Sequence, residues 1–155
     1  PITPRGAPEG FELDSVYGVD ADELGEEFVA LNAPSGGVVV QMLYYNDQGD
    51  LIRITESRSI YITIGEWLAV NRLEFAPGTE IWTSGSVDTA IVDPAGDGST
   101  RIVFIVKNRF MAIDGDASRE AMLDMARRFA TSFGMSEELP QPRFPGGAVY
   151  GDALR

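Results

Sequence analysis

Asp114-Gly115-Asp116-Ala117-Ser118 opens like a calcium loop, with oxygen-bearing side chains at alternate positions. A hard cation needs several oxygens wrapped around it at such spacing. The pattern fails at two fixed places. The sixth loop position, where glycine makes the sharp turn, is Arg119, and the twelfth, where a bidentate glutamate closes the shell, is Met125. A strand-to-helix turn with a capping serine accounts for the same residues. Asp93, Asp97 and Ser99 sit in a second loop rich in turn formers, where weak cation binding and plain turn formation need the same residues. Gly96-Asp97-Gly98 has neither the length nor the lysine of a phosphate-cradling loop.

Carboxylate chemistry on sugars needs two acids about 5 to 10 Å apart across the bond to be broken. Glu56, Glu66 and Glu80 lie near Trp67 and Trp82 in the chain, and sugars stack on such rings. With 24 acids some pair always meets that spacing, so the observation does not discriminate. The chain has no histidine and no cysteine. That removes the commonest general base, the Ser-His-Asp relay, thiolate nucleophiles and Cys-type zinc sites. Lys107 is the sole lysine, stands at a strand end before a turn, and belongs to no Ser-x-x-Lys pattern. The residues point away from catalysis, and no metal site or cofactor is expected.

Aromatic side chains remain. Tyr44, Tyr45, Tyr61, Trp67 and Trp82 fall on or near strand-like segments, where such residues are ordinary sheet fillers. A binding cleft between sheet and helix is the alternative. Its lining would be Tyr44, Tyr61, Trp67 and Trp82 together with Met122 and Phe129.

Charge narrows the partners. Net charge is −12, with 24 acids against eleven arginines and one lysine. No stretch supplies the basic stripe that a nucleic-acid backbone demands, and direct binding to an anionic membrane surface is disfavoured for the same reason. An unknown protein partner or a small ligand fits better. The longest apolar run, Val38 to Tyr45, is strand length and far short of a membrane span. The chain begins at Pro1 rather than Met, which predicts an excised or processed piece with a leader or anchor upstream.

The elements that must position these residues read as follows. Residues 1–10 form an extended lead-in, 11–134 one domain and 135–155 an irregular tail that packs through Phe144, Val149 and Tyr150. Alternation predicts strands over Phe11–Tyr17, Val38–Tyr45, Leu51–Glu56, Ile60–Ile64, Thr79–Trp82, Val87–Asp93, Arg101–Lys107 and Arg109–Ile113. Pro34-Ser35-Gly36-Gly37, the Ser84-Gly85 pair, residues 94–99 and Asn108 make turns, and Asn46–Asp50 closes a hairpin. Asp20 to Leu31 is either a short helix or an acidic loop, and Trp67 to Val70 either helix or strand. Ser118 caps a helix with Glu120 in its first turn and an apolar stripe of Met122, Met125, Ala126, Phe129 and Phe133, while Arg127 and Arg128 favour its end and Gly134 stops it. These pieces predict an α+β fold: an antiparallel sheet with one C-terminal amphipathic helix packed on one face.

One family pattern is present. Pro8-Glu9-Gly10-Phe11, then Val40-Gln41-Met42-Leu43-Tyr44-Tyr45 turning into Leu51-Ile52-Arg53-Ile54-Thr55-Glu56, then Phe110 to Ile113 and a helix opened by Ser118-Arg119-Glu120, carry it. Over residues 8–133 the chain resembles a bacterial domain family of unknown function found in extracytoplasmic parts of anti-sigma-factor-like membrane proteins and of lipoproteins. The family often places a tryptophan in its penultimate strand, where this chain reads Val103-Phe104-Ile105. The resemblance implies no catalytic residues. It implies a non-enzymatic sensory or protein-interaction domain, in the bacterial cell envelope or secreted, and tethered to a membrane where the full-length protein carries an anchor. Two alternatives stand beside it: a small-molecule or lipid carrier with its pocket between sheet and helix, and a carboxylate-based carbohydrate-active enzyme.

Overall fold

The computed structural model describes residues 4, 6–20, 23, 38–61, 64, 66–67, 80–84, 87–92, 100–106, 109–132 and 141–144. Eight strands form one sheet: β1 (Glu12–Asp20), β2 (Val38–Tyr45), β3 (Leu51–Arg58), β4 (Glu80–Ser84), β5 (Val87–Val92), β6 (Arg101–Val106), β7 (Arg109–Gly115) and β8 (Gln141–Phe144). Their order is β1-β2-β3-β7-β6-β5-β4-β8, and every neighbouring pair is antiparallel. Two meanders, β1–β3 and β4–β7, are therefore joined edge to edge. The join is the β3–β7 ladder, which runs from Ile52↔Gly115 to Arg58↔Arg109.

The hairpin between β2 and β3 is fixed by its own side chains. Asn46 Oδ1 accepts from the backbone N–H of Gln48 and Asp50, its Nδ2 donates to Asp50 Oδ2, and Gly49 takes a left-handed φ of 81°. Asparagine and glycine make the reversal because the first satisfies nearby N–H groups and the second accepts positive φ without a Cβ clash.

Helix α1 (Arg119–Ser132) lies across one sheet face. The predicted cap is present: Ser118 Oγ accepts from Ala121 N at 3.1 Å. Ser118→Ala is expected to lower stability by about 1 kcal/mol, read as a drop in the thermal midpoint, because one helix N–H then loses its partner. Met122, Met125, Ala126 and Phe129 press onto Met42, Tyr44, Ile52, Ile54, Ile102, Phe104, Met111 and Ile113. Phe129 meets Phe104 with ring centroids 6.4 Å apart, a tilted contact. Each of the large helix side chains contributes about 1.5–3 kcal/mol by leaving water. Arg127 and Arg128 do not serve the helix end. The helix runs on to Ser132, and both arginines turn back to Asp124 at 3.5 and 3.1 Å.

The opposite sheet face is also covered at its centre. Thr55, Ser57, Val103, Phe110 and Ala112 point that way and are buried. Residues 64, 66 and 67 are helical, and Trp67 packs its ring on Phe110 at 5.3 Å. The strand expected over Ile60–Ile64 is accordingly absent at Tyr61 and Ile64. Ser59 Oγ accepts from Tyr61 N and donates to Tyr61 O, which ends the extended run in a tight turn, and the chain then turns helical. A second expectation changes as well: the tail expected to be irregular supplies β8, which pairs with β4. Pro142 sits in β8 at the margin of the sheet order, the place where a strand tolerates a residue that cannot donate. The expected turns at 34–37, 85 and 94–99, the Asn108 reversal, the stop at Gly134 and most of 20–31 lie outside the described residues.

Candidate functional site

The six aromatic and methionine residues expected to line one cleft are not brought together. Tyr44, Met122 and Phe129 belong to the core between sheet and helix, and burial raises the Tyr44 phenol above its ordinary range. Trp67 is buried against Phe110 on the other face. Tyr61 is half-buried at the Ser59 turn. Trp82 lies in β4, opposite Thr89, and its side chain lies outside the described residues. Alternation explains the separation, because side chains on one strand pass to opposite faces and only matched registers bring them together.

The interface between sheet and helix is filled. Met42, Ile52, Ile54, Ile102, Met111, Ile113, Met125 and Phe129 each have 0% accessible surface. A void large enough for a guest leaves accessible surface on its walls, and these walls have none.

Three of the acidic residues singled out by spacing, Asp114, Asp116 and Glu56, hold the fold together. Asp114 receives both Nε and Nη2 of Arg53 at 2.9 Å, and Asp116 Oδ1 accepts from Leu51 N at 2.5 Å. Leu51 O in turn accepts from Asp116 N and Ala117 N, each at 3.1 Å. The segment resembling a calcium loop is thus the clasp between β7 and α1. Glu56 is buried on the helix side of the sheet with Arg109 Nε at 2.9 Å, whereas Trp67 lies on the opposite side. Glu56 and Trp67 therefore cannot share a sugar site. Among the described residues no group of three or more acids converges to hold a metal ion. Asp93, Asp97, Ser99 and Lys107 lie outside them.

A different constellation stands out on the outer part of the sheet. Among the described residues six large hydrophobic side chains are exposed: Leu13, Val16, Tyr17, Val38, Tyr45 and Ile60. Five of the six belong to the neighbouring strands β1 and β2, with Tyr17 and Tyr45 on one face and Leu13, Val16 and Val38 on the other. Tyr17 OH donates to Gln41 Oε1 at 2.5 Å, and Gln41 Nε2 donates to Thr55 Oγ1 at 3.2 Å. The three residues are directly paired across β1, β2 and β3, so a hydrogen-bonded row runs from the exposed ring into the buried sheet. Two pairs along the strands, on the same face, Leu43 faces Arg53, whose guanidinium is held in place by Asp114. The hydrogen bonds that Arg53 donates to Asp114 raise its pKa above the ordinary value, with burial opposing. Arg101, buried nearby, is pulled down to about 10 by burial, with the Asp114 charge opposing and the Arg53 charge adding to the fall.

The result is a patch of two tyrosines, an aliphatic residue and a clamped arginine, set on strands rather than on loops. Tyrosine and arginine are enriched among the residues that dominate binding energy at protein interfaces, each presenting a large apolar body with a polar tip. A concavity of about 420 Å³ adjoins Tyr45, bounded by residues 10–14 and 45–47 and edged by Glu12, Asp14 and Asp47. Tyr17 and Leu43 were not among the residues singled out by type. The signal available for Tyr17 was the acid-flanked alternation of β1, the composition of a marginal strand. No family model, no curated protein and no solved structure matches the chain.

Proposed function

We propose that this chain is a non-enzymatic protein-interaction domain, carried in the extracytoplasmic part of a bacterial membrane-associated protein, and that it binds through the border formed by β1 and β2. The observation that carries the reading is the exposure of five large hydrophobic side chains along two adjacent strands at one end of the sheet, Tyr17 and Tyr45 on one face and Leu13, Val16 and Val38 on the other. Large apolar side chains left exposed on both faces of a sheet's end suit a contact that wraps that end. The filled interior supports a surface mode of action over a carrier. The charge of −12 favours a partner with a basic face, since complementary potentials speed encounter and reject wrong partners. The extracytoplasmic setting is supported by the resemblance carried in residues 8–133.

The test uses the full-length protein in its own host. A photo-reactive amino acid is placed at position 17, 45 or 120, the last an exposed site on α1. The expected result is a defined adduct from positions 17 and 45 and none from 120, with the protein recovered in the envelope fraction. Identical adduct patterns from all three positions overturn the assignment of the surface. Recovery in the cytosolic fraction overturns the setting.

A further inference from the structure

β1 stands at one end of the sheet order and pairs with β2 alone among the described strands. The far side of such a strand carries a row of N–H and C=O groups, a template for adding another strand. Folded proteins commonly blunt this edge. Here a bulge falls between Leu13 and Ser15, but beyond it six pairs run in unbroken register from Ser15↔Leu43 to Asp20↔Val38. That is the length of an ordinary strand. Seven of the nine β1 residues are exposed and the other two are half-buried, so no residue of the strand is sealed under another element.

Charge decides the occupant. Two copies of β1 paired antiparallel about Val16 would set Glu12 opposite Asp20 at both ends, and pairing about Tyr17 would set Asp14 opposite Asp20. Like charges directly opposite each other destabilise a strand pair. The whole chain, at −12, repels its own copy as well. A foreign strand with basic ends meets the reverse situation. Glu12 and Asp14 stand at one end of β1, Asp20 at the other, and exposed Val16 and Tyr17 between them. Asp47 extends the negative end across the concavity beside Tyr45.

The geometry points to β1 as a strand-addition site for an extended segment of a basic partner protein. The segment would bond its backbone to Ser15–Asp20, lay apolar side chains beside Val16 and Tyr17, and place lysine or arginine against Glu12, Asp14 and Asp20. This inference rests on the interaction reading above and names the mode and chemistry of its partner.

Two short amidated peptides test it, one alternating valine and threonine between terminal lysines, the other with glutamates replacing the lysines. Each is titrated into the isotope-labelled protein while amide exchange is followed. The lysine peptide is expected to slow exchange along Ser15–Asp20, and backbone N-methylation of the peptide is expected to abolish the effect. Combining Glu12→Lys with Asp20→Lys is expected to weaken its binding about tenfold. Both positions are exposed, and circular dichroism checks that the double variant folds. Equal binding of the two peptides overturns the inference. So does protection confined to other strands, or no binding of the lysine peptide at millimolar concentration. In each of those events, adducts from positions 17 and 45 still form if the broader interaction reading holds and are absent if it fails, so the two failures are distinguishable.

Discussion

Gly115→Ala is expected to lower the stability of the fold by about 3 kcal/mol or more, and the thermal midpoint by roughly 10 °C. Gly115 has a φ of 134°, a backbone conformation that L side chains rarely adopt. A Cβ placed there would stand 2.1 Å from Leu51 O and 2.9 Å from Leu51 C, both backbone atoms of the neighbouring strand. Neither can swing aside. Leu51 O accepts from Asp116 N and Ala117 N, and Leu51 N donates to Asp116 Oδ1. Moving Leu51 to admit a methyl group therefore loosens the bonds that deliver the chain from β7 into α1. Gly49→Ala is the control. Its φ of 81° is also left-handed, but nothing lies within 4 Å of the added Cβ. That variant is expected to lose about 1 kcal/mol, the conformational cost alone. Chemical denaturation of both variants separates the terms. A Gly115→Ala midpoint no lower than that of Gly49→Ala would show that the clasp is soft.

The sequence displays the break in the sheet at Asp114-Gly115-Asp116 but hides the reason for it. The clash that demands glycine comes from Leu51, far away in the chain, and only the β3–β7 ladder brings the two together. The same division runs through the fold. Local signals hold up: Ser118 caps the helix, the Asn46 hairpin closes, and Met122, Met125 and Phe129 form the apolar stripe. Alternation in β2 and β3 located both strands. It did not say which face of Tyr44-Tyr45 the core would take, and the answer separates a buried ring from an exposed one.

Alternation in β6 and β7 was misleading in another way. Ile102-Val103-Phe104-Ile105 and Phe110-Met111-Ala112-Ile113 are near-continuous apolar runs, and every one of these side chains is buried. Such runs mark strands covered on both faces. One-sided alternation does not account for them, and the second covering layer that does includes Trp67. The candidate site shows the opposite bias. Of the large residues expected to line it, Tyr44, Trp67, Met122 and Phe129 are buried, whereas exposed Tyr17 sits on the mixed-composition strand at the end of the sheet. Burial follows apolar mass, so the largest hydrophobic side chains are poor guides to an exposed contact surface.

Trp67→Ala is the sharpest test of that second layer. Trp67 has 0% accessible surface and meets Phe110, itself fully buried, at 5.3 Å with the rings tilted by 55°. Ile64, from the same helical segment, is buried at 2%. Removing a buried indole takes away its transfer free energy and leaves a cavity, for an expected loss of about 3–5 kcal/mol. That is a large share of a domain's total stability. Trp67→Phe keeps most of the ring contact and is expected to lose less than half as much. The pairing itself is measured by a double-mutant cycle with Phe110→Ala, where the coupling should be about 1 kcal/mol. A sugar-stacking tryptophan would behave otherwise. Its replacement would leave the unfolding midpoint in place and abolish retention on a polysaccharide matrix. A Trp67→Ala protein as stable as its parent, with no coupling to Phe110, would remove the second covering layer from the fold and return Trp67 to the surface. The expected loss does the converse. It ties Trp67 to β7 as firmly as α1 is tied on the other face, and leaves Tyr17 and Tyr45 on β1 and β2 as the exposed aromatic side chains among the described residues.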